Sequence, residues 1–231
     1  MVHRRARAVE LFSTATLADR PRQERWYDEI FSLAKDSGSA TIVDVGVALG
    51  GSLGIAGRAI ADCIEDQSDS ELIGFDKFEA PYDYSDVDQE SGDFTSKLAS
   101  EVSLMNRRRV PVEAKDLWCS AALGTIHSSG FEGRITLIQG DASTTVEEFV
   151  EERESDLRIS ALRISCNWYA PVLSAMTHLV PRVIPSGVIF LDGYFFWSGF
   201  RRAVTESLGL KVEEAGQRIG DCLVLFPSDR G

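Results

Sequence analysis

The 231-residue sequence predicts an α/β fold: a seven-stranded, mostly parallel sheet with helices on both faces and an antiparallel hairpin as its last element. Three observations carry this. Short apolar runs alternate with helically spaced segments over most of the chain, the signature of a parallel sheet covered on both sides. Near the front, a buried strand, a glycine turn and a small-residue helix follow one another. At the end, two strand-like runs lie too close together for a helical crossover.

Residues 22–36 place Trp26, Ile30, Phe31 and Ala34 at helical spacing, and residues 1–36 read as a helical cover over the front of the core. A strand over 41–46 and a helix over 52–64 follow. Further strands are predicted over 72–75, 135–138, 159–164 and 187–191, with helices over 144–153, 172–183 and 198–207. Residues 211–214 and 222–226 should form the closing hairpin. Between 77 and 133 the alternation stops. An acidic aromatic stretch over 81–86 and two helices, 97–106 and 113–126, read as a lid or substrate insert, the other reading being a packing insert or dimer contact.

With 44% hydrophobic and 26% charged residues and no long linker, the chain fits one globular domain. A formal charge of −12 argues against nucleic acid and anionic membrane partners, which need clustered Lys and Arg. The basic cluster His3, Arg4, Arg5 and Arg7 has no apolar run behind it and reads as a solvated, frayed terminus. Cys63, Cys119, Cys166 and Cys222 are widely spaced, which fits free thiols in a reducing cytoplasm.

The candidate binding residues sit where strands end. Asp44, Gly46, Gly50, Gly51 and Ser52 occupy the turn between the first strand and its helix, where absent side chains let backbone approach a ligand. The spacing is GxxxGGS. The tighter GxGxxG packs a pyrophosphate, whereas the wider turn suits a smaller anion, such as the carboxylate of an amino-acid moiety. Asp76, at the end of the second strand and just ahead of Phe78, can accept hydrogen bonds from both ribose hydroxyls. Gly140, Asp141 and Ala142 end the third strand beside the expected adenine position, and Asp141 can also cap the following helix. Together these three loops predict S-adenosylmethionine as cofactor.

Four runs of residues resemble the macrocin and mycinamicin type (TylF-like) sugar O-methyltransferases of antibiotic biosynthesis: VDVGVALGGS, GFDKFEAP, ITLIQGDASTTV and LDGYFFWSGFRRAV. The resemblance implies the Rossmann-like class I methyltransferase fold, methylation of a sugar or polyketide-type small molecule, and possible homo-oligomers. In that family an Asp in a fourth-strand IDxDWY motif and an Asp pair ending the fifth strand hold a divalent metal, usually magnesium. Here Ser165 and Asn167 replace the fourth-strand carboxylates and Gly193 replaces one of the pair, leaving Asp192 as sole metal-ligand candidate. A lone carboxylate should bind Mg2+ weakly. The resulting expectation is a metal-weak or metal-independent enzyme.

On the acceptor side, Asp192 is the candidate base and Tyr194 its catalytic neighbour, with Trp168, Tyr169 and Trp197 as substrate-binding aromatics. Phe195 and Phe196 read equally well as core, and His127 and His178 as structural or exposed. The competing reading is a cyclase-like or regulatory relative that binds S-adenosylmethionine without methylating. An NAD-linked oxidoreductase would want the tighter glycine pattern.

Overall fold

The structure, a computed structural model, describes residues 2–79, 110, 115–153 and 156–227. Seven helices are numbered in chain order: α1 (Val2–Phe12), α2 (Arg20–Ser37), α3 (Gly51–Ala61), α4 (Lys115–His127), α5 (Ala142–Arg153), α6 (Tyr169–His178) and α7 (Ser198–Leu208). The strands are β1 (Thr41–Val45), β2 (Glu71–Asp76), β3 (Arg134–Gln139), β4 (Ile159–Ile164), β5 (Val183–Asp192), β6 (Gly216–Ile219) and β7 (Cys222–Leu225). They form one sheet in the order β3-β2-β1-β4-β5-β7-β6. All neighbours from β3 to β5 are parallel, and β7 runs antiparallel to both β5 and β6. This is the predicted Rossmann-like arrangement.

Alternate residues of the central strands serve two cores. Ile42, Leu72, Ala161 and Phe190 pack beneath α1 to α4, while Val43, Ile73, Leu162 and Ile189 pack against α5 to α7. Burying each such Val, Leu, Ile or Phe side chain contributes about 1.5–3 kcal/mol, so both faces are held firmly. The strand ends at positions 45, 76, 139, 164 and 192 therefore share one rim.

Three local expectations need correction. The basic cluster at residues 3–7 is not frayed but lies in α1, because Ala8, Val9 and Phe12 behind it are buried. Arg4 donates to the Asp62 carbonyl and Arg5 pairs with Asp28. The helix expected over 172–183 ends at His178; Pro181 sits in a 3-10 turn, Val180–Arg182, and β5 begins directly at Val183. The hairpin uses Gly216–Ile219 as its first strand, not 211–214. Gly220, at φ 59, and Asp221 make a two-residue turn that pairs Ile219 with Cys222, while residues 211–215 form turns. The stretch 81–86 and the helix over 97–106 lie outside the described residues. The helix over 113–126 corresponds to α4.

Candidate functional site

The β1–α3 turn is shaped by close backbone approach. Gly46, at φ 101, receives support through its N–H donating to the Phe75 carbonyl at 2.8 Å. A Cβ on Gly46 would lie 2.7 Å from the Cys166 backbone nitrogen, so the loops after β1 and β4 fit together only around glycine. Gly50 and Gly51 serve a different contact. A Cβ there would meet the Ala122 carbonyl at 2.7 Å and the Ala15 carbonyl at 2.5 Å, so these two seat the turn against α4 and the N-terminal segment rather than lining the cleft.

Asp76 clamps two loops. Its Oδ2 accepts the Ala48 N–H at 2.8 Å and its Oδ1 the Phe78 N–H at 2.7 Å. Ala48 and Phe78 have φ of 48 and 51, left-handed values unusual for residues with side chains. Burial pushes the Asp76 carboxyl pKa up, against the pull of these amides. The Phe78 ring is fully buried and contributes through its backbone.

Asp141 caps α5, accepting from the Ser143 N–H at 2.9 Å and hydroxyl at 2.8 Å, and pairs with Lys77 at 2.7 Å. Burial would raise its pKa, but Lys77 and Ser143 outweigh that and hold it below the usual carboxylate range. Gly140, at φ 151, and Ala142 flank it, and all three line the cleft.

Across the rim lies a buried ion network. Arg163 sits directly opposite Asp44 in the β1–β4 register. Its guanidinium donates to Asp44 Oδ1 at 3.1 Å, the Ser52 hydroxyl at 3.0 Å, the Ser165 hydroxyl at 2.9 Å and Asp192 Oδ2 at 2.5 Å. Ser52 also donates to Asp44, and Arg22 from α2 pairs with the other oxygen of Asp192. Burial raises the Asp44 pKa, since its one cation is shared. Burial also acts on Asp192, but two guanidinium groups overcome it and keep that carboxyl low.

These groups surround a cleft of about 160 Å3. Gly46, Ser52, Asp76, Gly140, Asp141, Ala142, Trp168 and Asp192 all line it. Asp44 does not: it is fully buried behind Ser52 and Arg163. Tyr194 and Trp197 are also corrected. Gly193, at φ 124, turns the chain so that both side chains fold into the core, and the Tyr194 hydroxyl bonds Glu213 at 3.0 Å. Tyr169 pairs with Glu206 on the outer face, away from the cleft. His127 and His178 lie outside it too.

Asp192 is in place, but its surroundings do not suit a metal. Both of its oxygens already hold guanidinium groups, and a divalent cation would have to displace or tolerate two positive charges. Among the described residues no group of three His, Cys, Asp or Glu side chains could hold a metal ion. The same pairing makes Asp192 a poor base, because its negative charge is already stabilised.

Arg22 and Arg163 are site residues that the sequence motifs do not mark. Arg163 left a signal, the one charge within the largely apolar strand ISALRI; Arg22 left none, lying on a helix 170 positions from its partner. Ala15 to Ala18, which form a wall of the cleft, were also unmarked.

No protein-family profile and no curated protein sequence matches this chain. Solved structures do match its fold. CalS11, a calicheamicin methyltransferase, aligns at TM-score 0.62 and 17% identity over 97% of this chain and 91% of its own. The O-methyltransferase NovP aligns at TM-score 0.63 and 17% identity, over 92% and 81%. The methyltransferase PaMTH1 of Podospora anserina, bound to S-adenosylhomocysteine (SAH), aligns at TM-score 0.51 and 14% identity, over 96% and 86%. The chain thus shares the Rossmann-like fold of these methyltransferases. Among the described residues no helix is long and apolar enough to cross a membrane.

Proposed function

We propose that this chain is an S-adenosylmethionine-dependent methyltransferase that O-methylates a sugar or polyketide-type natural product without a metal ion. The observation that carries the reading is the order of groups along the rim: Asp141 after β3, Asp76 at the end of β2 and Gly46 after β1 all open into one cleft. That order suits adenine, ribose and the amino-acid end of the cofactor in turn. CalS11, also described as a TDP-rhamnose 3'-O-methyltransferase, supports the choice of a sugar acceptor, and NovP, an O-methyltransferase, supports the choice of oxygen as the methylated atom.

When bound, the cofactor supplies a methyl group on a sulfonium, an electrophile needing no further activation. Asp76 would orient the ribose, and Asp141 with Ser143 would position the base. Trp118 and Trp168 give the cleft apolar walls that exclude water, so what the protein contributes is mainly alignment. Asp192 holds Arg22 and Arg163 in place rather than taking a proton, so the acceptor hydroxyl's proton passes to solvent as the methyl group moves to its oxygen and the sulfonium leaves as a thioether. This departs from the base role read in the sequence.

The protection of Asp192 and the burial of Tyr194 also suit a second reading, a protein that binds the cofactor without transferring its methyl group. Titration with S-adenosylmethionine and SAH, followed by methyl-transfer assays on nucleotide sugars with and without EDTA, separates the two. Turnover insensitive to EDTA is the expected result. Binding without turnover on any acceptor supports the second reading, and failure to bind either ligand defeats both.

A further inference from the structure

The cleft has two chemically distinct ends. Asp76 and Asp141 mark one; Arg22, Arg163 and Asp192 mark the other, with Gly46 and Ser52 between them. If the nucleoside occupies the first end, as the proposed function holds, the cofactor's amino-acid moiety falls at the second. That moiety is a zwitterion and needs a cation for its carboxylate. Asp44, which the sequence places against it, is sealed off, and Arg163 is saturated by Asp44, Ser52, Ser165 and Asp192.

Arg22 differs. It comes from α2, its side chain is 10% exposed, and it lines the cleft. One terminal nitrogen holds Asp192, while its Nε lies 3.1 Å from Asp19 Oδ1 without making a well-directed hydrogen bond. Asp19 is itself 49% exposed, so its charge is partly spent on water.

A second observation concerns a polar group beside that end of the cleft. Gln23, the next residue on α2, is 5% exposed, and its Oε1 is buried without a hydrogen-bond partner. It does not line the main cleft itself but an adjoining void of about 10 Å3, walled off by the shared residues Arg22, Ser52, Arg163 and Asp192, which an ammonium reaches only by displacing part of that wall. The Gln23 amide nitrogen is engaged by the Ala18 carbonyl at 2.5 Å, which fixes the side chain and leaves the oxygen as an acceptor. Buried acceptors without partners are rare and call for a donor.

We propose that α2 reads the amino-acid end of the cofactor: the Arg22 guanidinium takes its α-carboxylate and the Gln23 amide oxygen accepts from its ammonium. Asp192 is then the positioning residue that presents Arg22, and the glycine turn supplies room rather than charge. The N-terminal segment becomes part of the binding site.

The test compares two ligands by isothermal titration. SAH carries the amino-acid moiety; 5'-methylthioadenosine has the same adenosine and thioether but lacks it. The wild-type protein is expected to bind SAH more tightly. Arg22→Met should weaken SAH at least tenfold while leaving methylthioadenosine within about twofold, and Arg22→Lys should restore part of the loss. Gln23→Leu should weaken SAH selectively as well. An equal loss for both ligands would mean Arg22 acts only through folding, and an unchanged SAH affinity would likewise overturn the assignment. Should Arg22→Met melt below the assay temperature, Arg22→Lys and Gln23→Leu carry the same comparison. Binding of neither ligand to the wild type would instead remove the cofactor reading, and this assignment with it.

Discussion

Replacing Arg163 with Met removes the single cation serving Asp44 and one of two serving Asp192, while roughly preserving side-chain volume. Arg163 is 7% exposed and Asp44 fully buried, so water cannot take over the lost contacts. Breaking a buried ion pair from one side costs about 3–5 kcal/mol. In a domain of this size each kcal/mol moves the melting temperature by about 2–4 °C, so a fall of about 6–20 °C is expected. The structure also ranks the rescues. Asp192 keeps Arg22, whereas Asp44 is left with hydroxyl support from Ser52. Asp44→Asn in the Arg163→Met background should therefore recover more stability than Asp192→Asn does. Thermal and urea melts followed by circular dichroism measure all four proteins. A single-variant shift under about 2 °C, or the opposite rescue order, would refute the reasoning.

Gly46→Ala places a Cβ 2.7 Å from a backbone nitrogen at φ 101; a loss of about 1–3 kcal/mol in urea melts and weaker SAH binding should follow. Tyr194→Phe removes only the bond to Glu213. It should lower stability by about 1 kcal/mol and leave SAH affinity within twofold, and a large affinity loss would return Tyr194 to the site. Asp192 is held below its ordinary pKa, so its ionised form stabilises the fold above about pH 4, and that contribution is lost as pH falls through the lowered value. Melting temperatures should drop on acidification below about pH 4, less steeply in Asp192→Asn.

The cofactor half of the site was legible because it follows from chain order. A strand, a turn and a helix in succession put Gly46, Asp76 and Asp141 on one rim whatever else the chain does. The acceptor half depends on where side chains turn, and one glycine decides that. Tyr194 and Trp197 follow the end of β5 directly, yet the backbone at Gly193 sends them to the core. The ion network was illegible for a different reason. Apolar periodicity treats Arg163 as an interruption, and only the strand register reveals that it faces Asp44. In the same way, the helical cover over 1–36 was legible but the docking of α1 was hidden by its charges, since its three buried residues, Ala8, Val9 and Phe12, adjoin a basic stretch.

The clamp made by Asp76 bears on how any substitution there should be read. Its two oxygens restrain Ala48 and Phe78 in backbone conformations that each cost about 1–3 kcal/mol. Removing the carboxylate would free both loops to relax, and rebinding a ligand would then require winding them back. The affinity lost in Asp76→Ala would thus mix a missing ribose contact with the work of restoring two loops, and would overstate the contact alone. Asp76→Asn, whose carbonyl can keep one of the two amides, gives the intermediate needed to separate them.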